Sequence, residues 1–271
     1  MNYIRQLDSL RAIAVILVII HHWFPEGHPL STYTAFFNGV DIFFALSGFL
    51  ITRILLNNRL EAETTRMGKI VMIKRFFIRR TLGIFAIYYL LIAFLFILGP
   101  KTLTDIRENI LYFLTYTSNF YFYELNRWDG MLSHLWSLSV EEQFYLIWPW
   151  LMLFTHKKYV FPVILTSILV GIFGQLLLYD ENLGAILTFA CFDGFGLGAL
   201  LAWILVYRPG ALQRLYKPSM YVAIICCLLQ LARVFSDNTF ILLPSRTLTS
   251  LCTLAIIVHI LIKKETLTGL A

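Results

Sequence analysis

The chain has 271 residues, of which 59% are hydrophobic and only 14% are charged, with a mean hydropathy of +0.73. This apolar share is far above that of a soluble globular domain, so the composition excludes one and indicates an integral membrane protein in contact with membrane lipids. The net charge of +6 comes from basic residues that lie against apolar segments, which argues against nucleic acid as a partner. All four cysteines fall inside predicted spans, which argues against a disulfide framework and against a metal site.

Eight apolar segments are predicted to cross the membrane as helices, because about 20 apolar residues span the hydrocarbon core. They cover residues 10–25, 36–56, 81–99, 136–154, 160–179, 184–206, 219–235 and 244–262. We therefore predict an all-α, polytopic transmembrane helix bundle that forms a single domain over residues 1–271. A cytoplasmic N-terminus places seventeen of the 22 Lys and Arg residues on the cytoplasmic side, as the positive-inside rule requires. We expect the protein to lie in the inner (cytoplasmic) membrane.

The first segment carries a cation and an imidazole on one side of its helix. Arg11 and His22 are eleven residues apart, which is three helical turns, so the two side chains are about 16 Å apart along the axis. Ionisable groups inside a membrane segment are costly unless they are paired or wet. Both residues are therefore candidates for function.

The second segment opens with a carboxylate that the predicted topology places near the same membrane face as His22. A carboxylate that orients an imidazole leaves the other ring nitrogen available as a base. The sequence predicts that Asp41 orients His22 in this way. The alternative is a polar pair that only joins two helices.

The stretch from Arg53 to Arg80 is strongly basic. Such a loop is typical of a lipid-headgroup patch, and it also suits an anion site for the phosphate groups of a cytosolic ligand. Both interpretations remain open from the residues alone.

The fourth segment opens with a second polar cluster. His134, Glu141 and Tyr145 follow helical spacing, so one face presents an imidazole, a carboxylate and a phenol, as a wet cleft would. The alternative is an ordinary helix N-terminus with acidic residues and an interfacial Trp136.

The sixth segment places Asp193 near its middle, followed by Gly194, Gly196 and Gly198, which permit close helix approach. An ionised carboxylate at that depth needs a partner. Arg11 is a poor match in depth, and the sequence identifies no other partner.

Three long motifs occur in order along the chain. They are Leu7–Ala12 followed by His22, then Gly39–Thr52, then His134–Pro149. Together they resemble the acyltransferase-3 family of integral membrane acyltransferases, and a weaker match at Cys191–Leu201 extends the resemblance over about residues 1–205.

The resemblance implies transfer of an acyl group, often acetyl, from cytosolic acyl-CoA to a sugar hydroxyl of an envelope glycan or glycolipid at the outer face. Arg11 and His22 fit the family's Arg-x10-His pair, in which the histidine is the favoured base, although a covalent acyl-histidine step is equally compatible. The expected catalytic residues are His22, Asp41 and Glu141. The expected donor-binding residues are Arg11, Arg75, Arg79 and Arg80, for acetyl-CoA or another acyl-CoA without a metal. The expected acceptor-binding residues are His134, Trp136, Glu142, Tyr145 and Asp193.

The chain departs from the family pattern at three places. Gly83 and Ala86 stand where the third span commonly has an arginine and a proline, and Cys191 stands where an arginine often precedes the aspartate. The family's last helices are also expected after Ala271, which suggests a truncated or divergent member. Two other functions stay open: a proton-coupled transporter or flippase that uses His22, Asp41 and Glu141 as a relay, and an inactive scaffold derived from the enzyme.

Overall fold

A computed structural model describes residues 4–24, 28–34, 37–65, 68–235 and 244–268. Every regular element in these ranges is an α-helix or a short 3-10 turn, which confirms the predicted all-α fold. Residues 25 and 36, at the edges of the first and second predicted spans, lie outside the described residues.

Eleven α-helices occur in the described part of the chain. They are α1 (Arg5–Trp23), α2 (Pro29–Thr34), α3 (Gly39–Thr65), α4 (Lys69–Leu98), α5 (Ile110–Leu114), α6 (Ser118–Leu125), α7 (Leu135–Phe154), α8 (Lys157–Leu177), α9 (Phe192–Tyr207), α10 (Ala211–Phe235) and α11 (Ser245–Thr268).

Six of the described helical segments are long and apolar enough to cross a membrane, namely those in α1, α3, α8, α9, α10 and α11. Helix α4 adds a seventh if its two halves, Lys69–Arg80 and Gly83–Leu98, which are bent by 46°, form one span. The chain is therefore a polytopic helical membrane protein, as predicted, with six or seven candidate spans instead of eight. The difference is α7, whose first half carries Glu141, Glu142 and Gln143 and so falls short in apolar character.

The sixth predicted segment also differs from expectation. Residues 184–191 form two 3-10 turns, and the α-helix begins only at Phe192. Asp193 consequently lies in the first turn of α9 and not near the middle of an α-helical span.

The described residues form two compact units. The first is drawn from Met1–Arg53, Phe161–Ile172 and Phe192–Ala271, and the second from Ile54–Val160 and Phe173–Cys191.

In the first unit, helices α3 and α9 pack with their backbones almost in contact. A Cβ on Gly198 would clash with the carbonyl oxygen of Ala45, and a Cβ on Gly48 would clash with that of Phe195. The rings of Phe44 and Phe195 lie 4.7 Å apart. A Cβ on Gly194 would meet Phe44, and one on Gly198, a turn later, would meet the backbone of Phe49, so the contacts advance in the same direction and α3 and α9 run parallel. The prediction that Gly194, Gly196 and Gly198 permit close helix approach is confirmed, since a Cβ on each would press on a neighbouring helix.

Helix α1 packs on the same unit through one stripe, of which Leu7, Leu10 and Ala14 are buried. Gly39, at the start of α3, meets Ala14 and Val18 so closely that a Cβ there would clash with the Ala14 carbonyl. The remaining surface of α1 is largely exposed in the structure, as expected of a helix that faces lipid.

The second unit has an aromatic core. Tyr88, Phe113, Tyr116, Tyr121 and Phe122 are buried together with apolar residues of α4 and α7. Tyr88 stacks on Tyr116 at 4.2 Å and donates a hydrogen bond to the Phe113 carbonyl, which fixes α4 against the segment that follows it.

Candidate functional site

A buried charged cluster joins the first turns of α3, α9 and α11 in the first unit. The Nε atom of Arg246 donates to Oδ1 of Asp41 at 2.8 Å, and the two side chains are only 9% and 6% exposed. One residue further on, Thr247 donates through Oγ1 to Oδ2 of Asp193 at 2.6 Å. Asp193 is completely buried, and it is close enough to Asp41 for the two carboxylates to repel each other. The guanidinium of Arg246 thus binds one carboxylate, and the hydroxyl of Thr247 binds the other.

The helix arrangement explains why two aspartates are tolerated here. Asp41 and Asp193 both lie in the first turn of their helices, where the positive end of the helix dipole favours negative charge. Because α3 and α9 run parallel, these positive ends face the same region. Arg246 adds a full charge from the first turn of α11 and lies over the ring of Phe44 at 5.8 Å.

Two polar atoms of this cluster have no hydrogen-bond partner among the described residues. They are Oδ1 of Asp193 and Oγ of Ser250, and both side chains are fully buried. Ser250 lies on the same face of α11 as Arg246, one turn further along, and a Cβ built on Gly194 would lie 3.2 Å from its Oγ. Unsatisfied buried polar atoms are rare in native proteins, so this pair requires an explanation.

The structure gives Asp41 a different partner from the one predicted. Its carboxylate is held by Arg246, whereas His22 lies in the exposed last turn of α1, with its ring 5.1 Å from that of His21. Asp193, whose partner the sequence left open, is bound by the hydroxyl of Thr247. The role of His22 as a base oriented by Asp41 stays a prediction.

Arg11 and His22 lie on the same side of α1, as their spacing requires, next to the buried stripe of that helix. Arg11 is 43% exposed and forms a salt bridge of 3.2 Å with Asp8, one turn earlier. Its guanidinium therefore remains accessible from outside the unit.

In the second unit, the polar face of α7 is partly assembled as predicted. Tyr145 donates to Oε2 of Glu141 at 3.0 Å, and the guanidinium of Arg80 lies over the ring of Tyr145 at 4.6 Å. His134 directly precedes α7 and is exposed, and Trp136 packs against the aromatic core. The structure thus brings together one predicted catalytic residue, one predicted acceptor residue and one predicted donor residue.

Glu142, like Glu141, is half-buried. Its Oε1 atom is buried without a hydrogen-bond partner in the described part of the chain, and the same is true of the phenol of Tyr116. Charge on Glu142 acts electrostatically on Tyr116, so the two groups are near each other. A carboxylate and a phenol with free hydrogen-bonding capacity are suited to a hydroxyl-bearing ligand.

Sequence reasoning missed Gln143, which organises the interior of the second unit. Its Nε2 donates to the Tyr116 carbonyl at 2.7 Å and to Oδ1 of Asn119 at 2.9 Å, and its Oε1 accepts from the hydroxyl of Thr188. Asn119 in turn donates to Thr188 at 3.0 Å. This network fixes α6 and the 3-10 turn before α9 to α7, and an amide next to two carboxylates was the only signal for it in the sequence.

The basic residues predicted for the donor phosphates are divided along α4. Arg75 and Arg79 are exposed, whereas Arg80 is half-buried over Tyr145. Gly83, where the family commonly has an arginine, has open space around it. Among the described residues, no group of three or more His, Cys, Asp or Glu side chains could hold a metal ion.

The candidate membrane spans carry buried charged residues in their first turns, and α7 has a polar face. The protein is therefore a polytopic membrane protein with polar sites inside its helical units. The chain belongs to the acyltransferase-3 family, whose model, an acyltransferase domain, matches residues 4–268. The resemblance stated from the three motifs is thereby confirmed.

Three curated relatives illustrate the similarity. The peptidoglycan O-acetyltransferase OatA of Listeria monocytogenes is 36% identical over 186 residues, which is 63% of this chain and 28% of the relative. A putative peptidoglycan O-acetyltransferase, YrhL, of Bacillus subtilis is 36% identical over 55% of this chain and 23% of its own length. A putative O-acetyltransferase of Staphylococcus aureus is 35% identical over 58% of this chain and 26% of its own length.

The chain therefore matches less than a third of the length of these relatives. No solved structure matches it. The relatives are bacterial, and the similarity agrees with a multi-pass protein of the bacterial membrane.

Proposed function

We propose that this chain transfers an acyl group, acetyl in the first instance, from cytosolic acyl-CoA to a hydroxyl of a cell-envelope carbohydrate at the outer face of the membrane. The observation that carries the proposal is the family match over residues 4–268, supported by relatives named as O-acetyltransferases. Peptidoglycan is in the names of two of these relatives, so a glycan of that kind is the first acceptor to test.

In this proposal His22 is the general base. It removes the proton of the acceptor hydroxyl while that oxygen forms a bond to the thioester carbonyl carbon. The carbon–sulfur bond then breaks, and the CoA thiolate takes the proton back from the imidazolium. Base catalysis of this kind is worth about 10²–10⁴-fold in rate.

The donor is proposed to approach along α1. Arg11 lies about 16 Å from His22 along the helix axis, which suits a ligand with phosphates at one end and a thioester at the other. The exposure of the Arg11 side chain supports a role in phosphate binding, because its fork of donors fits phosphate oxygens. Arg75 and Arg79 are proposed as further phosphate contacts, since both are exposed on α4.

The acceptor is proposed to bind at α7. The hydrogen-bonded pair of Glu141 and Tyr145 and the unpartnered Oε1 of Glu142 offer donors and acceptors for sugar hydroxyls, with His134 and Trp136 at the start of the same helix. Asp193 is a weaker candidate for this role, because it is fully buried and bound to Thr247.

The experiment is acyl transfer in membranes that contain the chain, with acetyl-CoA labelled in its acetyl group and with no ion gradient. We expect label in the envelope glycan for the wild type. The rate of acyl transfer by the His22→Ala variant should fall about 10²–10⁴-fold, whereas the matched His21→Ala variant should keep the wild-type rate. Both histidines lie in the last turn of α1 and are exposed, so the pair controls for insertion and abundance.

Unchanged transfer by His22→Ala would remove His22 as the base. If the membranes transfer no acyl group without an ion gradient but take up or export substrate when a gradient is applied, a transporter is supported instead. No turnover under either condition would favour a scaffold without catalytic activity.

A further inference from the structure

Three of the four cysteines meet where helices α10 and α11 of the first unit pack along each other. Cys226 and Cys227 belong to α10, and Cys252 belongs to α11. All three are free thiols. The sequence argues against a disulfide framework, but it does not predict what thiols do once the fold has brought them into contact.

Cys252 packs against small residues on one face of α10. Its Sγ atom lies 3.8 Å from Sγ of Cys227 and 3.7 Å from the carbonyl oxygen of Ala223, one turn earlier on α10. The thiol of Cys226 is also within hydrogen-bonding reach of Cys252. A side chain as short as cysteine contacts the backbone of a neighbouring helix only where the two helices approach closely, as small residues allow. Such an approach meets the main geometric requirement of a disulfide bond, which is a short distance between the two backbones.

The two thiols of the closest pair differ in accessibility. Cys227 is exposed and shares the outer surface of α10 with exposed Ile224, Leu228 and Leu231. Most of α10 is exposed in the same way, as expected of an apolar span that faces lipid. Cys252 is only 5% exposed and lies in an apolar cluster. A lipid-soluble reagent therefore reaches Cys227 first, and Cys252 is placed to react with the product.

We propose that Cys227 and Cys252 form an oxidation site, at which a lipid-soluble organic hydroperoxide produces a disulfide bond between α10 and α11. The sulfur of Cys227 attacks the terminal oxygen of the hydroperoxide, the O–O bond breaks, and the departing alkoxide takes the thiol proton and leaves as an alcohol. The sulfur of Cys252 then attacks the resulting sulfenic acid, the S–OH bond breaks, and the hydroxide takes the second thiol proton and leaves as water. The hydroperoxide gains two electrons, and the two thiols lose two.

The disulfide adds a covalent bond to the hydrogen bonds that already join these helices. Nε2 of Gln230 in α10 donates to the carbonyl of Ser245 at 3.0 Å and to Oγ1 of Thr249 at 3.2 Å. These contacts hold the first turns of α11, from which Arg246 and Thr247 bind the two aspartates of the charged cluster. A cross-link one turn further along restricts the unfolded chain and so stabilises α11 against α10. This role does not depend on acyl transfer.

The test is oxidation of the full chain in membranes with cumene hydroperoxide, followed by denaturation, maleimide labelling of the remaining thiols and trypsin digestion. The chain has four cysteines and one disulfide consumes two, so we expect the labelled thiols to fall from four per chain to two. Trypsin cleaves after Arg233 and Arg246, which lie between the two cysteines. The disulfide therefore appears in the mass spectrum as residues 215–233 linked to residues 247–263, and reduction removes this species.

Four variants separate the site from the other thiols. Cys252→Ala should lose the linked peptide, because both thiols of α10 depend on Cys252 as their partner. Cys227→Ala leaves only the buried Cys226 on α10, so the link should be lost over the time in which the wild type is fully oxidised. Cys226→Ala should keep the link, because the closest pair remains. Cys191→Ala is the matched control, since it removes a buried thiol that donates to the Ala185 carbonyl at 3.6 Å, and it should behave like the wild type.

The wild type alone can overturn the proposal. Four labelled thiols per chain after the treatment would do so, and so would a cross-link between two chains, seen as a dimer on a non-reducing gel, in place of the link within one chain. A linked peptide that forms as fast in Cys227→Ala as in the wild type would overturn the role of Cys227. None of these results bears on acyl transfer, which is assayed separately.

Discussion

The buried ion pair between Arg246 and Asp41 gives the sharpest prediction for stability. The Arg246→Met variant keeps most of the side-chain volume but removes the charge, so Asp41 stays buried without its cation and next to the carboxylate of Asp193. Breaking a buried ion pair in this way costs about 3–5 kcal/mol. For a chain of this length, that loss lowers the unfolding midpoint by about 6–20 °C.

The assay is thermal unfolding in detergent, followed by the fluorescence of the six tryptophans. The control is Arg11→Met, because the Arg11 pair with Asp8 is about two-fifths exposed and such surface pairs are worth about 0–1 kcal/mol. The double variant Asp41→Asn with Arg246→Met removes both charges and should recover a large part of the loss. If the unfolding midpoint of Arg246→Met falls no further than that of Arg11→Met, the conclusion that the buried Arg246–Asp41 pair stabilises the fold is refuted.

Two further predictions concern packing and the polar network. Gly48→Ala should sharply reduce the amount of folded protein, because the added Cβ would clash with the backbone of α9. Gly83→Ala is the control, since Gly83 has open space around it and its variant should leave abundance unchanged. Both are measured as the yield of monodisperse protein after solubilisation in detergent. Gln143→Leu should lower stability by about 1–3 kcal/mol, because Asn119 and Thr188 lose a partner inside the unit. An unfolding midpoint like that of the wild type would show that these groups find other partners.

The helical architecture could be predicted from apolar segment length, but the helix limits could not. Helix α4 begins at Lys69, twelve residues before the predicted span. Its first turns carry Lys74, Arg75 and Arg79, so the apolar stretch that hydropathy detects starts later than the helix does. In α9 the opposite happens, since residues 184–191 are apolar but form 3-10 turns. Hydropathy measures transfer into lipid and carries no information on which backbone hydrogen bonds a segment forms.

The candidate sites divide in the same way by sequence separation. The contact between Glu141 and Tyr145 joins residues four positions apart and follows from helical periodicity. The pair of Asp41 and Arg246 joins residues 205 positions apart, and no local pattern selects this arginine from the others. Gln143 contacts Asn119 and Thr188 across 24 and 45 residues, so its role also depends on tertiary packing.

The partner of Asp193 shows why charge matching alone gave no answer. The buried carboxylate was expected to need a partner, and Arg11 was a poor match; the group that contacts it is the hydroxyl of Thr247, while the neighbouring Arg246 binds Asp41. Adjacent residues on a helix point about 100° apart, so the first turn of α11 can serve two different helices at once. In the predicted topology α3, α9 and α11 all enter the membrane from the same face, which places their first turns at one depth. Topology and first-turn position together therefore identify this cluster better than a search for opposite charges does.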